Sequence, residues 1–272
     1  MIDRRWNRSL VVSDIHGCHV EKRAWKVFLD VCSDGCEGRP WDAVYLNGDT
    51  CDMSQLAKFD KKGGGMISKN NEDDDITLEE EIFYIKTSIF TPLRKALGEK
   101  TKIVFRLGNH DFRFKTVSET KPEALMTLLK TMRKHKSLYL EDILELDAYG
   151  IEYDDKDMRT LFDCYTITHG WKTNKTCAEW YLTRLGSGTS GHTHKATVAA
   201  RVMKGRSEFW HESGCMCKIM NVPYLPYGTL PEWTQGFVSV VIDTESKRPF
   251  PQFHLIDDQF KCRFNNIVYE GR

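Results

Sequence analysis

Five short segments of the chain carry aspartate, histidine and asparagine side chains at spacings that suit metal binding. They are residues 13–17, 47–49, 108–111, 168–170 and 191–194. Every segment except the last follows a clear apolar run, which is typical of a buried strand. Because the carboxyl ends of parallel strands meet at one edge of a sheet, the pattern predicts that the segments converge on one place.

The candidate donors are oxygen and imidazole groups: Asp14, His16, Asp49, Asn109, His169, His192 and His194. The pairs Asp14/His16 and His192/His194 are two residues apart, and in extended backbone such a pair points to the same side. The two oxygens of Asp49 can bridge two cations. A pair of metals sharing one carboxylate clamps the attacking and leaving oxygens in phosphoryl chemistry. Mixed imidazole and carboxylate donors favour Mn, Fe, Zn, Co or Ni over Mg or Ca.

The order Asp-x-His, Gly-Asp-x-x-Asp, Gly-Asn-His-Asp, His-Gly, Gly-His-x-His resembles the calcineurin-like metallophosphoesterase superfamily. The resemblance extends from Asp14 to His194, about two thirds of the chain, and every ligand position is filled. It implies a metal-dependent hydrolase with two divalent ions, most readily Mn, and a metal-bridging hydroxide as nucleophile. It further implies the ligand sets Asp14, His16, Asp49 and His194 for the first ion, and Asp49, Asn109, His169 and His192 for the second.

The resemblance also implies that His110 is the catalytic histidine and Asp52 the acid that orients it. Physical chemistry supports these roles, because a protonated His110 beside Asn109 can donate a proton to the leaving oxygen. A neighbouring carboxylate keeps such an imidazole charged. Asp52 is the preferred partner, and Asp111 is a second candidate.

The order and spacing of the apolar segments along the chain predict the fold class. The first half alternates strand and helix, with helices expected over residues 20–32, 77–97, 122–134 and 175–185, and the last third is mostly strand. This order predicts a layered α/β/β/α sandwich of two packed sheets, with the metal site at the carboxyl ends of the strands. We expect a single domain over residues 1–272, interrupted by a polar insertion at about 53–76.

Composition describes a soluble globular protein of 272 residues, with 40% hydrophobic and 29% charged residues. The 39 basic and 39 acidic side chains balance, so net charge indicates neither nucleic acid nor an anionic membrane as partner. No apolar stretch approaches the roughly 20 residues of a membrane span, and no signal peptide is recognisable. Nine cysteines then favour free thiols in a cytoplasmic, reducing compartment over zinc half-sites at Cys32/Cys36 or Cys215/Cys217.

The substrate is less strongly indicated. The protein Ser/Thr phosphatase branch of the superfamily carries an arginine directly after the second aspartate of Gly-Asp-x-x-Asp, where this chain has Met53. The motifs are more similar to the phosphodiesterase and nuclease branches, which implies a nucleotide or nucleic-acid phosphodiester as substrate. A phosphomonoesterase, such as a protein phosphatase, is the alternative enzyme. A metal-binding scaffold without catalysis is the alternative of another class.

Three side chains beside the motifs are candidates for substrate binding. Arg113 and Lys195 belong to a set of basic residues that would attract a phosphodiester. Trp171, directly after His169 and Gly170, could stack on a base, although a core position suits a tryptophan equally well. The acidic run at residues 72–75 is expected to be a solvated loop, with a gate to the site as the alternative.

Overall fold

The fold is built from thirteen strands and seven α-helices within the part of the chain that the computed structural model describes, namely residues 5–59, 76–129, 138–203, 205–220 and 231–272. The strands are β1 (Trp6–Val12), β2 (Ala43–Asn47), β3 (Lys102–Arg106), β4 (Ile151–Asp154), β5 (Met158–Leu161), β6 (Tyr165–Thr168), β7 (Gly188–Ser190), β8 (Val198–Met203), β9 (Arg206–Glu212), β10 (Gly236–Asp243), β11 (Arg248–Leu255), β12 (Lys261–Phe264) and β13 (Ile267–Glu270). The helices are α1 (Lys22–Asp34), α2 (Leu78–Tyr84), α3 (Thr91–Leu97), α4 (Asn109–Thr120), α5 (Pro122–Leu128), α6 (Leu140–Ile143) and α7 (Cys177–Leu185).

The strands form two main sheets and a hairpin. The first sheet has the order β11-β10-β1-β2-β3-β4, and its strands β1 to β4 run parallel. The second sheet has the order β5-β6-β7-β9-β8, with β6, β7 and β9 parallel to one another. Strands β12 and β13 pair separately as an antiparallel hairpin.

Alternation along the central strands explains why the sheets stack. Leu10 and Val12 of β1 pack into a core shared with helices α1 to α6, whereas Val11 lies in a second core between the two sheets. Tyr165 and Ile167 of β6 enter the second core from the opposite sheet. Helix α7 then covers the outer face of the second sheet. The predicted α/β/β/α sandwich is therefore confirmed.

The long helix predicted over residues 77–97 begins and ends as its sequence signals indicate. Thr77 and Glu80 form a capping box at its start, and Gly98 follows its last turn with φ of 67°. Its middle differs from a regular α-helix, because Ile85–Phe90 adopt a π-helix between α2 and α3. Local sequence signals locate the ends of a helix but do not show a change of its internal period.

Some elements were not indicated by the apolar pattern. Residues 138–153 form α6, a 3₁₀ turn at Leu146–Tyr149 and the start of β4. Helix α4 and the β12–β13 hairpin were not expected. The helix predicted over 122–134 is seen as α5, and residues 130–134 lie outside the described residues.

The first residues of the segment expected to be a polar insertion, at about 53–76, pack into the core. Met53 and Leu56 are fully buried in the core between the first sheet and its helices, and Ser54–Phe59 form a 3₁₀ helix. Residues 60–75, including the acidic run at 72–75, lie outside the described residues. The single-domain organisation stays a prediction.

All nine cysteines carry free thiols. Within the described ranges, no helix is both long enough and apolar enough to cross a membrane. The cytoplasmic location stays a prediction.

Candidate metal centre

All seven predicted donors lie just beyond the carboxyl ends of parallel strands, at one edge of the sandwich. Asp14 and His16 follow β1, Asp49 follows β2, and Asn109 is the first residue of α4 after β3. His169 follows β6 in the second sheet, and His192 and His194 follow β7. Both sheets therefore contribute donors, and the site lies where their parallel strands end together.

The backbone that carries these donors differs from the predicted extended conformation. Positive φ angles occur at five of them: Asp14 (57°), His16 (54°), Asp49 (49°), His192 (72°) and His194 (59°). The left-handed region costs about 1–3 kcal/mol for a non-glycine residue and is concentrated at functional sites. Turns, and not the alternation of an extended strand, therefore direct the two His-containing pairs into the site.

One half of the cluster matches the first predicted ligand set. Nε2 of His194 lies 3.1 Å from Oδ1 of Asp14 and 3.1 Å from Nε2 of His16. Nε2 of His16 lies 4.0 Å from Oδ2 of Asp49. Two donors bound to one ion at about 2.1 Å stand roughly 3.0–3.4 Å apart, so most of these separations suit a shared cation.

The other half matches the second predicted set and shares Asp49. Nε2 of His169 lies 3.2 Å from Oδ2 of Asp49 and 3.1 Å from Oδ1 of Asn109. Ligand atoms of Asp49, His169 and His192 all lie within 4.8 Å of one another. The Asp49 carboxylate is thus adjacent to both halves, which is the position a bridging ligand needs.

The electrostatics of the cluster suit divalent cations. Asp14 and Asp49 are buried, which raises their pKa, but neighbouring histidines outweigh burial and hold both values below the usual range. For His169 and His194, burial lowers the pKa but the Asp49 and Asp14 carboxylates raise it, to about 10 in each case. Two buried carboxylates are therefore stabilised by nearby positive charge. Bound metal ions would supply that charge in place of the protons on His169 and His194. The residues present fit a centre of divalent metals.

His110 stands beside this cluster and contacts Asp52. Nδ1 of His110 lies 3.2 Å from Oδ1 of Asp52 and 2.8 Å from the Asp52 carbonyl oxygen. Burial lowers the pKa of His110, but Asp49 and Asp52 outweigh it and the net shift is upward. Oδ1 of Asp52 also lies 2.9 Å from Nδ1 of His16, so one carboxylate contacts both a predicted ligand and the predicted acid.

Asp111, the second candidate partner of His110, forms hydrogen bonds with backbone groups. Its carboxylate accepts hydrogen bonds from the backbone N–H groups of Cys51 and Gly108, at 2.8 and 2.9 Å. It therefore joins the start of α4 to the loop after β2. Burial, together with Asp49, raises its pKa to about 6.

The predicted substrate-binding side chains occupy different environments. Arg113 donates to the Asp52 carbonyl oxygen at 3.0 Å, and its Nη1 lies 2.9 Å from Nδ1 of His110. Lys195 forms an ion pair with the exposed Glu232 at 2.6 Å. The ring of Trp171 is 50% exposed and rests edge-on against Trp180 and Tyr181.

Two further residues that support the site were not predicted. The side chain of Asn47 accepts a hydrogen bond from Arg106 through Oδ1 and donates one through Nδ2 to the carbonyl oxygen of Thr168. The backbone carbonyl oxygen of Asn47 lies 3.0 Å from Nδ1 of His169. Glu81 accepts hydrogen bonds from the backbone of Asp52 and Met53. Asn47 directly precedes the Gly-Asp pair, which is a usable signal, whereas Glu81 resembles any acidic residue in the first turn of a helix.

Comparison with known proteins finds a structural similarity but no sequence match. No protein-family model matches the chain, and no curated protein matches it. Among solved structures, the chain is similar to a conserved uncharacterized protein of Streptococcus pneumoniae TIGR4 that is described as a predicted phosphoesterase. The two share 15% identity, 97% of each chain is covered, and the TM-score is 0.36. Similarity at this level does not by itself establish a shared activity.

Proposed function

We propose that this protein is a metal-dependent phosphoester hydrolase of the calcineurin-like metallophosphoesterase type, and that its substrate is a nucleotide or nucleic-acid phosphodiester. The observation that carries the proposal is the position of His110. It contacts Asp52 at 3.2 Å and adjoins a cluster of the seven residues that fill the donor positions of that superfamily's pattern, five of which are buried. Any single motif is common, but their convergence on one edge of the sandwich is not.

The donors divide into two sets that share Asp49. Asp14, His16 and His194 form the first set with it, and Asn109, His169 and His192 form the second. Mn is the metal we expect, with Fe, Zn, Co or Ni as alternatives suited to the same donors. When bound, two such ions would supply a water acidic enough to act as nucleophile near neutral pH and would neutralise phosphoryl charge.

His110 supplies the proton for the leaving oxygen. Its pKa is raised, which favours the protonated imidazole, and the Asp52 carboxylate beside Nδ1 stabilises that form. With Nδ1 held by Asp52, Nε2 is the atom that would face the substrate. The Arg113 guanidinium adds positive charge beside the imidazole: its Nη1 lies 2.9 Å from Nδ1 of His110 and its Nη2 lies 3.5 Å from Nε2.

Two observations favour a diester over a phosphoprotein. Met53 occupies the position of the arginine in the protein Ser/Thr phosphatases, and its side chain is fully buried in the core. No cationic group at this position can therefore clamp a phosphomonoester. Trp171, half exposed beside His169, offers a face on which a nucleobase can stack.

A substrate panel with added Mn²⁺ tests the proposal. It contains bis-(p-nitrophenyl) phosphate, p-nitrophenyl phosphate, cyclic nucleotides, and single- and double-stranded DNA. We expect diesters to be hydrolysed faster than the monoester. Turnover of the monoester alone would support the phosphomonoesterase alternative, and no turnover by a metal-loaded protein would support the scaffold.

A His110→Ala variant separates proton donation from metal binding. We expect kcat to fall about 10²- to 10⁴-fold, the usual contribution of a general acid, with the metal content of the protein unchanged. Asp14→Ala is the matched comparison, because it removes a donor and should lower metal content as well. Loss of metal in the His110→Ala protein would mean that His110 is a ligand.

A further inference from the structure

A buried carboxylate behind the site, that of Glu81, holds the turn that carries Asp52. Glu81 lies in the first turn of α2 and is 2% exposed. Its Oε1 accepts hydrogen bonds from the backbone N–H groups of Asp52, at 2.6 Å, and Met53, at 3.1 Å. A Cβ on Gly17 would lie 2.8 Å from the same oxygen, so the glycine leaves room for the carboxylate.

One peptide group connects Glu81 to His110. The N–H of Met53 and the C=O of Asp52 belong to the same planar unit, and in a trans peptide they point in opposite directions. Glu81 holds the N–H side, at 3.1 Å, while the C=O side contacts Nδ1 of His110 at 2.8 Å and accepts from Arg113 at 3.0 Å. A change at Glu81 would therefore rotate or release the group against which His110 rests.

The turn needs such an anchor. Met53 has φ of 52°, a left-handed conformation that is costly for a residue with a side chain. Hydrogen bonds from two successive N–H groups to one carboxylate offset part of that cost. An oxygen acceptor on the N–H side also polarises the peptide, which makes the Asp52 carbonyl a better acceptor for His110.

Burying an acidic side chain at the position of Glu81 is energetically unfavourable. Burial, reinforced by the charge of Asp52, raises the Glu81 pKa to about 7. A neutral side chain oxygen could accept the same two hydrogen bonds without the penalty of desolvating a carboxylate. A costly group next to the residue that orients the proton donor points to a role in the reaction.

We propose that Glu81 is a positioning residue for proton transfer: through the Asp52–Met53 peptide it fixes the orientation of His110 toward the leaving oxygen. The proposal rests on the proposed function, and in particular on His110 as the general acid. Glu81 acts through this peptide, and not by direct contact with the substrate or with a proposed metal ligand.

A comparison of leaving groups tests this role. A nitrophenolate leaves readily without a proton, whereas a nucleoside alkoxide needs one, so only the second reaction depends strongly on His110. In Glu81→Ala we expect kcat for a thymidine dinucleotide to fall about 10- to 100-fold, as misplacement of a catalytic group does. We expect a much smaller fall for bis-(p-nitrophenyl) phosphate, and unchanged metal content.

Three further variants make the result specific. Glu81→Gln keeps an oxygen acceptor and should restore most of the activity on the dinucleotide. Glu80→Ala is the matched control: it removes the exposed capping side chain next in sequence, which contacts Thr77 and not the Asp52 turn, and should leave both reactions unchanged. Glu81→Met replaces the alanine variant if the alanine protein does not fold, because it fills similar space without an acceptor.

A double-mutant cycle with His110→Ala gives an independent readout. If Glu81 acts through His110, the Glu81→Ala substitution should have little further effect on dinucleotide cleavage in the His110→Ala background. Equal losses on both substrates, loss of metal, or additive effects in the cycle would overturn the positioning role while leaving the proposed function intact. A wild-type protein that hydrolyses neither substrate would instead refute the proposed function.

Discussion

At the scale of single residues, the motif glycines are as constrained as the donors. Gly48 has φ of 89°, and a Cβ there would lie 2.4 Å from Nδ1 of His169 and 2.8 Å from the backbone of Gly108. Distances under 3.0 Å cannot be accommodated without a shift of the neighbouring atoms, and here one neighbour is a proposed metal ligand. Gly48 therefore allows two ligand-bearing loops and an imidazole to meet.

We predict that Gly48→Ala lowers metal affinity about tenfold or more, because the added methyl displaces His169 from Asp49. Isothermal titration with Mn²⁺ measures this directly. Gly38→Ala is the matched control: Gly38 also has positive φ, 72°, but a Cβ there meets open space. Both variants should lose about 1–2 kcal/mol of stability from backbone strain, and only Gly48→Ala should lose metal. Equal affinities in the two proteins would contradict the prediction.

The convergence of the candidate donors at one edge was predictable from sequence, but their backbone conformation was not. Residue type and order at Asp14, His16 and Asp49 follow from chemistry that only a few side chains can perform. Their left-handed φ angles depend on contacts that close in the folded state, such as the hydrogen bond of the His16 N–H to the Asp49 carbonyl at 2.8 Å. Such contacts link segments far apart in sequence and leave no local pattern.

At the scale of elements, a buried arginine joins the two sheets below the site. Arg106, the last residue of β3, is 1% exposed and donates to Oδ1 of Asn47 and to the carbonyls of Ile167 and Lys156, at 2.8 to 2.9 Å. It also lies 3.3 Å from Asp154. It thereby holds the ends of β2, β3 and β6 at a fixed separation, and these strands lead to Asp49, Asn109 and His169.

We predict that Arg106→Met destabilises the fold by about 3–5 kcal/mol, because it leaves Asp154 and two carbonyl groups buried with fewer partners. Urea unfolding followed by circular dichroism gives the free energy. Lys102→Met on the same strand is the control. Its ion pair with Glu152, at 2.5 Å, is exposed, so its loss should cost at most about 1 kcal/mol. Similar losses of unfolding free energy in both variants would mean that the contacts of Arg106 between the sheets add little to stability.

The elements that sequence periodicity predicted well are those whose pattern is set by burial on one or two faces. Strand β1 and helix α1 are examples, since each has a continuous apolar run or stripe. Helix α4 was missed because its first turn carries Asn109, His110 and Asp111, whose polarity reflects the site and not the helix. The β12–β13 hairpin was missed because its strands are short and partly exposed, so their burial pattern is weak.

At the scale of the whole molecule, two buried histidines outside the site make the fold sensitive to acid. Nδ1 of His211 and Nδ1 of His254 have no hydrogen-bond partner among the described residues. Burial lowers the pKa of each to about 4, below the ordinary value of 6.5. Between those values the unfolded chain binds protons that the folded chain cannot, so stability falls as the pH is lowered from about 6.5 to 4.

We predict a loss of about 2 kcal/mol of unfolding free energy per histidine between pH 7.5 and 5. Urea unfolding of the metal-free protein at both values measures it. His211→Leu removes one of the two titrating histidines. The difference in unfolding free energy between the two pH values should therefore be about 2 kcal/mol smaller in this variant. Because the predicted metal ligands titrate in both proteins alike, the comparison isolates His211. An unchanged pH dependence in the variant would show that His211 is not neutral in the folded state.

Metal binding should stabilise the whole molecule because the donors belong to both sheets. An ion bound to Asp49 and His169 joins the end of β2 to the end of β6, and such a site is absent from the unfolded chain. At a Mn²⁺ concentration 100 times the dissociation constant, binding adds about 2.7 kcal/mol per site. For a chain of this size that corresponds to a rise in Tm of roughly 5–10 °C over protein treated with a chelator.

The Asp49→Asn variant tests whether that stabilisation comes from a shared carboxylate. Asp49 adjoins both halves of the donor cluster, so its replacement should weaken both sites and remove most of the Mn²⁺-dependent rise in Tm. Asn109→Ala touches only the second half and should remove about half of the rise. Differential scanning fluorimetry with and without Mn²⁺ measures both. Equal effects of the two substitutions would mean that Asp49 serves one ion, and the separation of the donors into two sites joined by Asp49 would then be wrong.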